Sequence, residues 1–231
     1  MRQRISIASI AMAIAAGLAT VAIADVGDAD SFGRPVNFLG MAQTAGVSIS
    51  SDCTGYPAGT CATIANPAAS TTITFTGGEA VITLPARAAN SLLCFTVTSL
   101  GGISLSNFTT LKQVASADIL ATWRIESTAL ADPALINTGT GLPFNGAVVG
   151  GMTIDSESRT LGPGDFVNVN PVHSRSCISG HLSRRGLMAS GLTAAQARAV
   201  FNGPITVRFG SSASATFAFA TSKYGVRIYG D

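Results

Sequence analysis

The sequence predicts an all-β protein, a β-sandwich with one short helical connection near residues 193–202, and three observations carry that expectation. Apolar residues recur with period 2 along much of the chain, the pattern of strands buried on one face. Turn residues such as Gly77-Gly78, Leu84-Pro85 and Gly162-Pro163-Gly164 interrupt the runs at short intervals. Only the stretch from Thr193 to Gly203 carries helix signals at both ends.

In chain order, Ile73 and Phe75 alternate with Thr72, Thr74 and Thr76 as a first strand. Gly77-Gly78 reads as a two-residue hairpin, and Ala80, Ile82 and Leu84 continue on the next strand. Leu93, Phe95 and Val97 form another face, with Cys94, Thr96 and Thr98 opposite. Ile119, Ala121, Trp123 and Ile125 alternate with Leu120, Thr122, Arg124 and Glu126. Val167 with Val169, then Ile205, Val207 and Phe209, then Phe217 with Phe219, and finally Tyr224, Val226 and Ile228 complete the set. Thr193 with Gln196 has capping-box spacing, and Asn202-Gly203-Pro204 reads as a helix end. A turn of helix is expected before it, near Leu182 to Met188. Ala131 to Gly146 reads as a long loop.

Leu161-Gly-Pro-Gly-Asp165 places Pro and Gly where a type II turn wants them. Those five residues resemble turns of bacterial extracellular immunoglobulin-like sandwiches, which implies an architecture and no activity. About ten short strands joined by such turns favour a sandwich, immunoglobulin-like or jelly-roll-like, over a barrel.

The N-terminus reads as an export signal. Met1-Arg-Gln-Arg4 is a positive start, Ile5 to Ala24 is apolar or small, and Ala22-Ile23-Ala24 offers small residues for cleavage. The expected organisation is a signal peptide over 1–24 and a single exported domain over 25–231, secreted or periplasmic. A retained anchor is the alternative, since about twenty apolar residues can span a bilayer. Only 11% of the 231 residues are charged, against roughly 25% in typical globular domains. Without Arg2 and Arg4 the 14 Lys and Arg fall to 12, against 12 Asp and Glu. That balance excludes an electrostatic nucleic-acid binder, which needs surplus cations to displace counterions. No later stretch is long and apolar enough for a membrane helix.

Cys53, Cys61, Cys94 and Cys177 form an even set in the exported portion and imply two disulfides. Cys53 and Cys61 flank a turn-rich loop that brings its ends together. Pairing them leaves Cys94 with Cys177, a loop of about eighty residues worth roughly 4–5 kcal/mol in the chain-entropy model. His173, Cys177 and His181, spaced by four, are the competing zinc reading, but no helix pattern supports them.

Asp25, Asp28 and Asp30, with Ser31 and flexible glycines, offer the oxygen ligands that Ca²⁺ prefers. They lack the fixed Gly and distant Glu of an EF-hand, so a solvated acidic start to the mature chain is the plainer reading. No cofactor is otherwise implied. No Gly-x-Ser-x-Gly elbow, His-Glu-x-x-His motif or phosphate loop occurs. Catalysis would need a site assembled in space around His173 or His181, and Glu79, Glu126 and Glu157 are the only glutamates. Asp155-Ser-Glu157 reads as an exposed strand edge or turn, and Arg184-Arg185 as a solvated pair. The sequon Asn107-Phe-Thr109 would matter only in a eukaryotic secretory pathway.

The sequence thus points to an exported, non-catalytic structural or surface-assembly protein that self-associates through strand edges. An extracellular calcium- or glycan-binding module is the alternative, and a hydrolase the third. Peptide mapping without reduction should recover Cys53–Cys61 and Cys94–Cys177 links. A Cys53–Cys94 link, or free thiols in exported material, would contradict the pairing.

Overall fold

The computed structural model describes residues 37–64, 70–170, 172–176 and 182–231, with 173–176 as backbone alone. All of these lie in one compact unit, Pro35–Asp231. Residues 1–24, expected to be a signal peptide, and Asp25, Asp28 and Asp30 fall outside the described residues.

The chain begins with β1 (Asn37–Gln43), β2 (Val47–Ser50), β3 (Cys61–Thr63), β4 (Thr71–Thr74) and β5 (Ala80–Leu84). Two long strands follow, β6 (Leu92–Ser106) and β7 (Gln113–Glu126), and then the short β8 (Ile136–Asn137) and β9 (Leu142–Pro143). Next come β10 (Ala147–Leu161), β11 (Phe166–Val169), β12 (Val172–Ser176) and β13 (Leu182–Ser183). Helices α1 (Arg184–Ala189) and α2 (Ala194–Asn202) precede β14 (Ile205–Thr216) and β15 (Ala218–Gly230).

These strands build two facing sheets, as the period-2 pattern requires. In the first, β6 and β15 are central. β1 and β2 lie end to end along β15, with β3 parallel to β2; β11, β12 and β13 lie end to end along β6. The second sheet runs β10-β7-β14, with β4 and β5 along the far side of β14. The all-β sandwich with a short helical connection is therefore what forms. The inward residues of β14 (Ile205, Val207, Phe209, Ser211, Ala213, Ala215) are buried, as are Ala115, Ala117, Ile119, Ala121, Trp123 and Ile125 of β7. Phe95 on β6 meets Phe209 and Trp123 edge-on, at 5.1 and 5.9 Å between ring centroids. Helices α1 and α2 carry the chain from the first sheet to the second and bury Leu187, Ala197, Val200 and Phe201.

Thr193 and Gln196 form the expected capping box. The C-terminal end differs from the sequence reading. Gly203 is extended (φ −91°, ψ 173°), not left-handed, because Pro204 disfavours helical backbone in the residue before it. Gly77-Gly78 is also not a hairpin. β4 and β5 both pair with β14 and make one interrupted strand. The two glycines bulge out of it to reach the other sheet, where Gly77 N–H donates to Gly59 O and Ala45 N–H to Gly78 O, each at 3.0 Å. A Cβ on Gly77 would sit 2.2 Å from Ala58 O, so nothing larger fits there.

Two further strands differ in phase from the sequence pattern. Phe217 takes φ +52° between β14 and β15, which resets the alternation, so Ala218 and Ala220 point inward and Phe219 does not. Asp155 was expected at an exposed edge or turn, yet it is 1% exposed. A register shift between Thr153 and Asp155 inserts Ile154 as a bulge, and one extra residue turns every later side chain to the other face.

The 162–165 turn is a corner between sheets, from β10 to β11. Asp165 N–H donates to Gly162 O, and Gly164 has φ +77° as a type II turn demands. Asn107 holds this corner. Its amide nitrogen donates to Leu111 O, Leu161 O and Gly162 O, while its amide oxygen accepts from Thr109 N–H and Oγ. With Asn107 fully buried, the sequon serves as a structural hub and has no nitrogen to offer a glycan in the folded state. The long loop 131–146 contains the β8–β9 hairpin, and Phe144 is buried.

Tyr224 crosses the sandwich. From the middle of β15 its hydroxyl donates to Gly210 O on β14, with Thr122 O of β7 at 3.5 Å. Burial pushes the phenol well above its ordinary pKa of 10.0, and Glu79 adds to the rise; bonds from Ser211 and Thr122 oppose it. A raised folded pKa means that stability is intact below about pH 10 and falls as pH climbs past it, because the unfolded phenol ionises first. Thermal unfolding from pH 8 to 11.5 should show this loss. Tyr224→Phe should cost about 1–3 kcal/mol at neutral pH and flatten the alkaline decline.

Candidate functional site

Cys53 and Cys61 are disulfide-bonded with Cα atoms 5.6 Å apart, closing the loop that joins the parallel β2 and β3. Asp52 next to them accepts from Thr54 Oγ at 2.7 Å and Thr54 N–H at 2.8 Å. Those bonds, the hydroxyl's first, hold its carboxyl below the usual range. Cys94, on β6, is disulfide-bonded as well. Cys177 and His181 lie outside the described residues, so the proposed Cys94–Cys177 partner and the zinc reading do too. Among the described residues no group of His, Cys, Asp and Glu could hold a metal ion.

His173 stands on β12 in register with Ser99 of β6. Ser99 Oγ donates to Asp155 Oδ1 at 3.1 Å, and Ser222 Oγ lies 3.5 Å from Oδ2. Residue types of a hydrolytic triad are thus neighbours in the fold. Ser99, Ser222 and Asp155 are nevertheless all buried between the sheets, and the Ser99 hydroxyl donates its hydrogen bond to the carboxylate. A nucleophile needs both a base and access to substrate; this cluster is a polar tie between β6, β10 and β15. The bulge at Ile154 is what delivers the carboxylate there.

The outer face of the second sheet carries the sharper surface feature. Arg124 of β7 and Arg208 of β14 stand directly opposite each other, an arrangement that repels unless an anion intervenes. Glu126 intervenes. Its carboxylate lies 3.0 Å from Arg124 Nε and 3.2 Å from Arg208 Nε. Beside this trio is a groove of about 460 Å³ bordered by Glu79, Thr122, Arg124, Val149, Gly150 and Arg208. Glu157 is elsewhere, paired with Arg159 at 2.6 Å on β10. Arg184 and Arg185 open α1, in the turn of helix expected near Leu182 to Met188. Arg124 and Arg208 drew no notice in the sequence, because only the β7–β14 register brings them together.

The groove borders β10, the outermost strand of that sheet. β10 is fifteen residues long and pairs only with β7 among the described strands. The opposite flank of the sandwich is different: its edge is the short, interrupted pair β4 and β5, and the Gly77-Gly78 bulge between them is hydrogen-bonded to Gly59 and Ala45 on the side of the first sheet. Fold and site together define a two-sheet β-sandwich with a charged groove on the outer face of the second sheet, beside its long edge strand β10. No family model matches the chain, and no curated protein matches it. No helix among the described residues is long and apolar enough to cross a membrane.

Ser99→Ala and Ser222→Ala should each lower stability by about 1–3 kcal/mol, the scale of a lost hydrogen bond to a carboxylate. Their effects should be non-additive, since both hydroxyls serve Asp155. Urea unfolding of the two single variants and the double variant measures this.

Proposed function

We propose that the protein is an exported, non-catalytic structural subunit that assembles through an open sheet edge. The observation that carries this reading is the asymmetry of the two flanks. One has the short, interrupted β4 and β5, bonded to the first sheet through Gly77 and Gly78, and the other presents the fifteen-residue β10 with one row of N–H and C=O groups unpaired among the described residues. Proteins blunt such edges with charge, proline or bulges. β10 carries those devices only in its second half, with the Ile154 bulge, Asp155, Glu157 and Arg159. Its first half, Ala147 to Thr153, has no charge and no proline.

Two sequence features support export: the Arg-bearing, Ala-rich N-terminus with its Ala-x-Ala ending, and a disulfide framework that suits an oxidising compartment. The balanced charge after removal of residues 1–24 leaves little long-range repulsion between copies. A second reading, a glycan-binding module, rests on the groove beside Arg124 and Arg208.

Light scattering of the disulfide-intact mature protein should show concentration-dependent self-association. Its salt dependence should be weak, because few charges are available to screen. Electron microscopy of producing cells should show the protein in ordered surface material. A strictly monomeric protein at every concentration and salt would defeat the assembly reading and leave the binding module in its place.

A further inference from the structure

We infer that the partner of β10 is β10 of a second copy, paired antiparallel about a two-fold axis through Gly150; this rests on the assembly reading above. Side chains opposite one another in an antiparallel pair share a face. A two-fold pairing that keeps inner faces inward must therefore centre on a residue, and the charge-free half of β10 is centred on Gly150.

Residues 147–153 are complementary to themselves in that register. Val149 points outward and is 69% exposed, and it would stand opposite the partner's Gly151. Gly151 has no side chain and borders the groove over Thr122, so each copy offers one knob and one hole. On the inner face, Val148 would meet the partner's Met152, both half-buried and already packed against the core. At the axis itself, Gly150 lacks a side chain because the Trp123 indole fills that space, 2.6 Å from where a Cβ would lie. Two backbones can therefore close at ordinary strand spacing with nothing between them. The charged half of β10 does not offer this, because Ile154 breaks its register and Asp155 is committed to Ser99. The result is a closed pair in which the two second sheets become one continuous sheet.

Sedimentation velocity of the mature protein and four variants tests this. Val149→Lys places two ammonium groups beside the axis and should weaken association by about tenfold or more. Val81→Lys, on the opposite edge strand of the same sheet, should leave it unchanged. Gly151→Val should weaken it by blocking the hole, and Val149→Gly/Gly151→Val, which exchanges knob and hole, should restore it. Association that survives Val149→Lys but fails in Val81→Lys would overturn the β10 pairing while leaving the assembly reading standing. Failure of the double variant to recover would overturn the register. A wild-type protein that never associates would overturn both.

Discussion

The hydroxyl of Tyr224 sets the spacing on which the sandwich is built. A phenol rooted in one sheet reaches main-chain carbonyls of the other only if the residues facing it are small. At that level β7 and β14 present Ala121 and Ser211, with glycine at 210 beside them. Large rings can then occupy the next level, where Phe95, Trp123 and Phe209 pack edge to edge. Towards the β14–β15 turn, Ala213 and Ala215 of β14 are matched by Ile103 and Leu105 of β6 in the facing sheet. Bulk on one sheet answers smallness on the other, as close packing requires. The buried phenol pays for its place with a bond that holds both strands of the facing sheet.

Much of this was legible. Alternation located β5, β7, β14 and most of β6 and β15, because strands with one buried and one solvated face must alternate. Where alternation failed, the causes were local. Phe217 enters a left-handed conformation that favours glycine, so nothing in its identity announced a change of phase. Ile154 is an ordinary strand residue and gave no sign of being the extra one in a bulge. Gly77-Gly78 did look like punctuation, but the same pair serves a hairpin or a close approach between sheets, and only the tertiary contact with Ala58 and Gly59 chooses. The first half of β10 is not legible, since Val148 and Gly150, half-buried, alternate with Val149 and Gly151, exposed, and the residue types on the two faces are the same.

The surface features were less legible for a different reason. Being an edge is a property of topology: β10 differs from β7 by what lies beside it, not by its composition. Arg124 and Arg208 are ordinary outward residues until register places them face to face over one glutamate. Ser99 and Asp155 are in the same position, joined only when the bulge swings the carboxylate inward. The disulfide at Cys53 and Cys61 was readable because its loop is short and local.

The glycine bulge at 77–78 has a consequence for how the fold comes apart. It ties the sheets on the β4–β5 side, while on the β10 side Asp155 and the 162–165 corner tie only the second half of the strand, so the first half of β10 is where the sheets can begin to part. The first amides to exchange with solvent are then those of Ala147 to Thr153, while those around Gly59 and Gly77 persist until the sheets part completely. The first core residue bared is Trp123, which lies against β10 and whose indole fluorescence reports its wetting. A neighbour seated on β10 would hold the sheets together, so the strand that invites a partner is also the one whose occupation would most slow unfolding.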